Sequence, residues 1–151
     1  MDLDLGGLHV AAAYAAVLLG VAGPVPALLY AVRVEHRNFW RRPMLLGAAL
    51  TLATTLTVYV SGRRLVDDHP QRLAEPGVMA HLEYADRLLL PGAGFFVVAM
   101  LTGVLDARTG ALRTMLPLLL TGFAVVVLTL TVLSGNPDAR LIVERITEQY
   151  Q

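Results

Sequence analysis

The sequence predicts an all-α membrane protein, a bundle of four transmembrane helices with a short amphipathic helix at the C-terminus. Of the 151 residues, 56% are hydrophobic and 16% are charged, whereas about a quarter of a soluble domain is usually charged. Four long apolar runs stand out, at residues 8–32, 44–60, 88–105 and 115–133. Each approaches or exceeds the roughly 17–25 residues that cross a bilayer as a helix. Residues 1–134 are therefore expected to form a transmembrane domain in lipid.

The first apolar run is predicted to be a membrane span and not a signal peptide. It follows Asp2 and Asp4 where a signal peptide would have basic residues, and it is too long for the apolar part of such a peptide. Pro24 and Pro26 lie inside this run, and Pro117 lies inside the fourth. We expect kinks at these prolines, since neighbouring helices can satisfy the carbonyls that proline leaves unpaired.

The orientation is predicted from the placement of arginine, the sole basic residue besides histidine. The link between the first two spans holds Arg33, Arg37, Arg41 and Arg42 within ten residues, beside Trp40. Dense arginine marks the cytoplasmic side, and tryptophan favours the headgroup boundary. Arginine counts are equal on the two sides, so local density decides. Both chain ends are therefore expected outside, with residues 61–87 external.

Two segments outside the spans are predicted to be structured. Residues 61–87 are expected to form an external loop and then a helix that leads into the third span, with Glu83 and Arg87 paired one turn apart. Residues 135–151 are expected to form an amphipathic helix that begins near Asn136 and Pro137. Its apolar face would lie on the membrane surface or against another subunit, and it comprises Ala139, Ile142, Val143, Ile146 and Tyr150.

Composition excludes several classes of function. The chain has no cysteine, so disulfides, thiolate metal sites and cysteine nucleophiles are ruled out. Its net charge is zero and no basic stripe is present, which argues against nucleic acid as a partner. No Ser-His-Asp pattern, phosphate-binding glycine loop or HExxH motif is found. Transport is disfavoured because the central turns of the spans carry no charged residue. A subunit of a complex is therefore favoured over a stand-alone enzyme.

Two histidines are candidates for ligands of a b-type haem. His9 opens the first span and His81 precedes the third, so both are expected at similar depth on the outer side. A haem bound through two imidazoles needs them on facing helices, with small residues beneath so that the macrocycle fits between backbones. Ala13 and Ala16 follow His9 on one helix face, and Gly92 follows His81. These five residues form the predicted cofactor site, with His9 and His81 as iron ligands.

Two alternatives to a haem site stay open for this region. Small residues line any close helix contact in lipid, so packing alone accounts for the stripes. The outer segment also offers oxygen and imidazole ligands for a metal ion, namely Asp67, Asp68, His69, His81 and Glu83. Their spacing matches no metal signature, and a solvated, salt-bridged loop explains the acids.

Short motifs in three places resemble those of a bacterial family of small four-helix membrane proteins of unknown function. They are Leu8-His9, Ser61-Gly62 and the segment AHLEYAD at residues 80–86. The likeness covers roughly residues 8–133, and Val10 stands where that family often has proline. Members of the family are suspected of binding b-type haem. The resemblance implies a bacterial inner membrane protein with a haem ligand at His9 and at His81.

Two functions are therefore expected to compete. The first is a small subunit of an energy-transducing complex, respiratory or photosynthetic, that transfers electrons through haem b from a quinol or a partner enzyme. The second is a cofactor-free accessory subunit that stabilises or assembles a larger membrane complex. Both predict the lipid bilayer and other membrane subunits as partners.

Overall fold

The computed structural model describes residues 5–68, 76–105 and 110–135. Within these ranges the chain forms five α-helices and a 3₁₀ turn and no strand: α1 Leu5–Ala22, α2 Pro24–Val32, the turn Val34–His36, α3 Arg37–Asp68, α4 Pro76–Leu105 and α5 Leu112–Gly135. Four spans are long and apolar enough to cross a membrane: Gly7–Val32, Val34–Asp68, Ala85–Leu105 and Leu112–Ser134. The predicted all-α bundle of four transmembrane helices is confirmed.

The first span is one kinked helix made of α1 and α2. Pro24 has no N–H to donate, so the ladder of helical hydrogen bonds lacks the bond from residue 24 to the carbonyl of Gly20. Gly23 nevertheless keeps helical backbone angles, with φ −63° and ψ −41°, and its N–H donates to the carbonyl of Leu19 at 2.7 Å. The hydroxyl of Thr51 in α3 donates to the same carbonyl at 3.0 Å. A neighbouring helix thus contributes to the backbone bonding at this kink.

Helix α3 is longer than the apolar run that predicted it. It begins at Arg37 and ends at Asp68, whereas the run covers residues 44–60. Most of the basic link and the first part of the expected external loop are therefore helical. Hydropathy marks the part of a helix that lies in lipid, whereas the helix itself continues through arginine and leucine, which favour helical backbone. Helix α4 runs from Pro76 through the third span, as predicted.

The core of the bundle lies between the helices and is built largely from small and medium side chains. Its fully buried members include Ala27, Ala48, Phe95, Ala99 and Leu120. Among the residues whose burial is described, the buried polar side chains are hydroxyls, and large apolar side chains such as Leu18, Leu90 and Leu118 point outward. Apolar surface on the outside is the pattern expected of a chain whose solvent is lipid.

The backbones of the first span and α3 approach closely at the kink. A Cβ added to Gly47 of α3 would lie 2.7 Å from the carbonyl oxygen of Gly23. Helix α3 packs against both halves of the first span and against α4, and α5 packs against α4 and the first span. The amphipathic helix was predicted at residues 135–151. Gly135 is the last residue of α5, and residues 136–151 lie outside the described residues, as does the loop residue His69.

Candidate functional site

His9 is held at one end of the bundle by a contact between the first two spans. Its Nδ1 lies 2.9 Å from Oγ of Ser61 in α3. The Ser61 hydroxyl in turn donates to the carbonyl of Thr57 at 2.6 Å, one turn earlier in its own helix. Ser61 is 4% exposed, and His9 is partly buried. The ring of His9 is therefore tied to the backbone of α3 through one serine.

This pair of hydrogen bonds determines the tautomer of the neutral His9 ring, that is, which of its two nitrogens carries the hydrogen. A serine hydroxyl has one proton, and that proton is directed at Thr57. Ser61 can then only accept from His9, so Nδ1 carries the hydrogen and Nε2 carries a lone pair. Ring orientation through a hydrogen bond at one nitrogen is how proteins prepare the other nitrogen as a metal ligand. The motif Ser61-Gly62 was noted in the sequence, but the sequence did not show that Ser61 forms a hydrogen bond with His9.

A small cavity lies among the ends of four helices beyond His9. Its volume is about 70 Å³. Helix α1 contributes Ala13, Ala16 and Val17 to its lining, and Ala85 and Leu88 of α4 lie opposite. Ala13 and Ala16 were predicted to lie under a cofactor, and they do line this space. The face of α1 that contains Ala13 and Ala16 therefore lines a cavity as well as packing against other helices.

One hydroxyl in the cavity lining is without a hydrogen bond. Thr131 of α5 is 1% exposed, and its Oγ1 has no partner among the described residues. The other hydroxyls that line the cavity donate to carbonyls of their own helices, Thr55 to Thr51 and Ser134 to Thr131. The cavity is thus apolar apart from one unused hydroxyl group.

The remaining predicted residues are both in α4. Position 81 is one helical turn before Ala85, so it shares a face with a residue of the cavity lining. The side chain of His81 lies outside the described residues, and the predicted pair with His9 is untested. Gly92 is buried but does not line the cavity, and a Cβ added there would meet nothing within 4 Å.

The residues fit a haem in chemistry but not in space. An imidazole with its lone pair on Nε2 and a lining of small side chains suit an axial ligand. The cavity of about 70 Å³ is far smaller than the roughly 300–1,000 Å³ of a ligand pocket. A macrocycle would enter only if the helices at this end moved apart. No reaction step is therefore derived through haem.

Two acidic residues near this end, Asp86 and Glu83, pair with arginine. In the described part of the chain, Arg63 of α3 binds both carboxylate oxygens of Asp86 of α4, at 3.0 and 3.1 Å. Glu83 and Arg87 form the predicted pair one turn apart, at 2.6 Å. Among the described residues no three His, Asp or Glu side chains gather as metal ligands. His69 and the side chain of His81, which the metal alternative needs, lie outside that part.

A second feature was not predicted from the sequence, an open apolar groove between α4 and α5 that we call the α4/α5 groove. It has a volume of about 680 Å³. Its lining is Leu90, Pro91, Gly94, Leu118, Leu119, Gly122, Phe123 and Val126. Gly122 is exposed in the groove, and a Cβ added to it would meet nothing within 4 Å. The feature of the sequence that could have indicated this groove is Gly122, a glycine inside an apolar run.

Comparison of the chain with protein-family models, with curated proteins and with solved structures finds no match. The resemblance to the bacterial four-helix family stays a prediction.

Proposed function

We propose that this chain is a small accessory subunit of a larger membrane complex, and that it packs through the α4/α5 groove against a transmembrane helix of a partner subunit. The observation that supports this proposal is Gly122. Where the first span crosses α3, Gly23 and Gly47 each fill the space that the other leaves open. Gly122 has open space instead, on the outside of the bundle.

An exposed glycine in the middle of a lipid-facing helix needs a reason. Glycine weakens a helix by roughly 0.5–1 kcal/mol relative to alanine. In membranes that cost is offset where glycine lets a second helix approach closely, and apolar side chains around it then interdigitate with the partner. Leu118, Leu119 and Val126 surround Gly122 with exposed apolar surface. The groove therefore has the form of a helix contact whose second helix comes from another subunit.

The experiment fills the groove and measures the size of the assembly. Gly122→Leu is expected to release the chain from its complex, since the new side chain occupies the space of the partner helix, while the fold of the chain is kept. Ala53→Leu is the matched control, because Ala53 is also small and exposed on a lipid-facing helix, away from the groove. The readout is the native mass of the tagged chain after mild solubilisation of its own membranes. Equal masses for wild type and both variants would contradict the proposal.

Electron transfer in an energy-transducing complex is the second candidate, and the His9–Ser61 contact favours it. A b-type haem would fit at this end only if the helices moved apart, and it would then supply one-electron transfer between a quinol or partner enzyme and an external acceptor. The chain would contribute the Nε2 lone pair of His9, fixed by Ser61, and the small lining at Ala13 and Ala16. His81 would be the second ligand.

A reduced-minus-oxidised visible spectrum of the purified chain tests this candidate. Under the electron-transfer proposal, the wild type shows the bands of a b-type haem and His81→Ala abolishes them. Ala16→Leu should diminish them by narrowing the cavity, whereas Ala53→Leu should not. A featureless wild-type spectrum, from cells supplied with haem, would eliminate this candidate and leave the accessory role untouched.

We also propose a location, from the family resemblance, and an orientation, from the placement of arginine. The chain is proposed to lie in a bacterial inner membrane, with the segment that holds Arg33, Arg37, Arg41 and Arg42 on the cytoplasmic side and both ends outside. A topology reporter fused after Gln151 should then be active only if it works outside the cytoplasm. A fusion that reports from the cytoplasm would reverse the orientation.

A further inference from the structure

The end of the bundle opposite His9 carries a concentration of positive charge that the described residues do not neutralise. Four arginines lie between Arg33 and Arg42. The two ion pairs of the described residues are at the other end, at Asp86 and Glu83. No carboxylate in the described ranges lies within ion-pair distance of Arg41 or Arg42. The counter-charge for these two side chains must come from outside that part of the chain.

One of the four arginines is already engaged. Nε of Arg37 donates to the carbonyl of Tyr30 at 3.3 Å, and its guanidinium lies 5.3 Å from the centre of the Tyr30 ring. Tyr30 is buried in the core, so this arginine ties the start of α3 to the end of α2. Arg37 is therefore structural, and the charge that can bind an external anion belongs to its neighbours.

Arg41 and Arg42 border an open groove along the first turns of α3, which we call the basic groove. Its lining is Asn38, Phe39, Arg41, Arg42, Pro43 and Leu45, and its volume is about 810 Å³. Phe39 is 68% exposed and Leu45 is partly exposed. The groove thus presents two guanidinium groups beside an apolar surface, which is the amphipathic pattern of a phospholipid headgroup and the start of its acyl chains.

The depth of the basic groove agrees with the same ligand. It lies where the apolar run of α3 begins, at Met44. Phe39 and Trp40 form an edge-to-face pair with ring centres 5.0 Å apart, and such aromatic residues mark the headgroup level. Lipid phosphates belong to the headgroup level that such aromatic residues mark, and arginine binds phosphate oxygens through two parallel N–H bonds.

We infer that the basic groove is a binding site for an anionic phospholipid, whose phosphate contacts Arg41 and Arg42 while its acyl chains lie against Phe39 and Leu45. The apolar part of the groove favours a lipid over a free phosphate. The inference does not depend on a partner subunit or on a cofactor.

The test measures lipid binding to the purified chain by native mass spectrometry. The wild type in neutral detergent is titrated with phosphatidylglycerol and, separately, with phosphatidylcholine. Phosphatidylglycerol is expected to bind preferentially, and Arg41→Gln with Arg42→Gln in one variant should weaken it roughly 30-fold, through the loss of two surface charges. A variant with lysine at both positions keeps the charge and should retain most of the binding.

Arg113→Gln is the matched control, since Arg113 is an exposed arginine near the start of α5 and outside the basic groove. It should leave the affinity for phosphatidylglycerol unchanged. The inference is overturned if phosphatidylcholine binds as well as phosphatidylglycerol or if Arg113→Gln weakens binding as much as the double variant. It is also overturned if inorganic phosphate at equal phosphate concentration displaces the lipid, which would identify a site for small anions.

Discussion

The single proton of the Ser61 hydroxyl decides which nitrogen of His9 carries the lone pair. Because that proton is directed to the Thr57 carbonyl, Nδ1 of His9 must donate, and Nε2 is the basic atom of the neutral ring. The helix backbone of α3 thereby sets the chemistry of a side chain on α1. This arrangement suits any role in which Nε2 accepts a hydrogen bond or binds a metal.

Ser61→Ala tests this assignment. Without the hydroxyl, His9 loses its acceptor, and both neutral tautomers should become populated. The imidazole ¹⁵N chemical shifts of histidine-labelled protein report the change, with His9→Gln used to assign the signals. The loss of stability should be about 0.5–1.5 kcal/mol. Thr57→Ala is the control, because the Thr57 hydroxyl bonds only to a carbonyl of its own helix among the described contacts. Shifts of His9 that stay unchanged in Ser61→Ala would refute the assignment.

At this scale the sequence can place residues that share one helix face, whereas the cofactor role predicted for them stays a prediction. Ala13 and Ala16 were found by counting turns from His9, and both line the cavity. The role of Ser61 was not found, because it depends on a contact between residues 52 positions apart on different helices. The missing space for a macrocycle likewise depends on how closely four helices approach, which no single helix pattern contains.

At the scale of elements, the kink between α1 and α2 packs directly against the long helix α3. Gly23 and Gly47 allow their backbones to touch, and Thr51 donates to a carbonyl beside the interrupted turn. Hydropathy predicted four spans, and the prolines predicted kinks. The structure interrupts the first span at Gly23, beside Pro24, whereas α5 continues through Pro117. Hydropathy did not predict the ends of α3, since a helix continues past the lipid boundary until its backbone is interrupted.

Gly47→Ala should therefore destabilise the bundle. The new Cβ would lie 2.7 Å from the Gly23 carbonyl oxygen, a backbone atom that can move only with its helix. We expect a loss of about 1–3 kcal/mol in the free energy of unfolding in mixed micelles. Gly122→Ala is the matched comparison, because its Cβ would meet nothing within 4 Å, so the change should stabilise the helix by roughly 0.5–1 kcal/mol. Equal changes in stability in the two variants would show that the Gly23–Gly47 contact is not tight.

At the scale of the whole molecule, the surface has three parts that differ in shape and chemistry. The outward apolar faces of the four spans are suited to lipid. We propose lipid phosphate as the ligand of the basic groove and a partner helix as the occupant of the α4/α5 groove. Composition predicted the first of these, and the density of arginine indicated the side of the second. The third depends on the pairing of α4 with α5, so it became visible only in the folded chain.

The accessory role is tested most directly by a crosslink from inside the α4/α5 groove. Because the chain has no cysteine, Gly122→Cys and Ala53→Cys each provide one thiol for a photoactivated crosslinker in native membranes. The account predicts an adduct of one defined added mass from Gly122→Cys and none from Ala53→Cys. Lipid adducts alone from both positions would contradict it, and so would a product of twice 16.3 kDa, which would put a second copy of this chain in the groove.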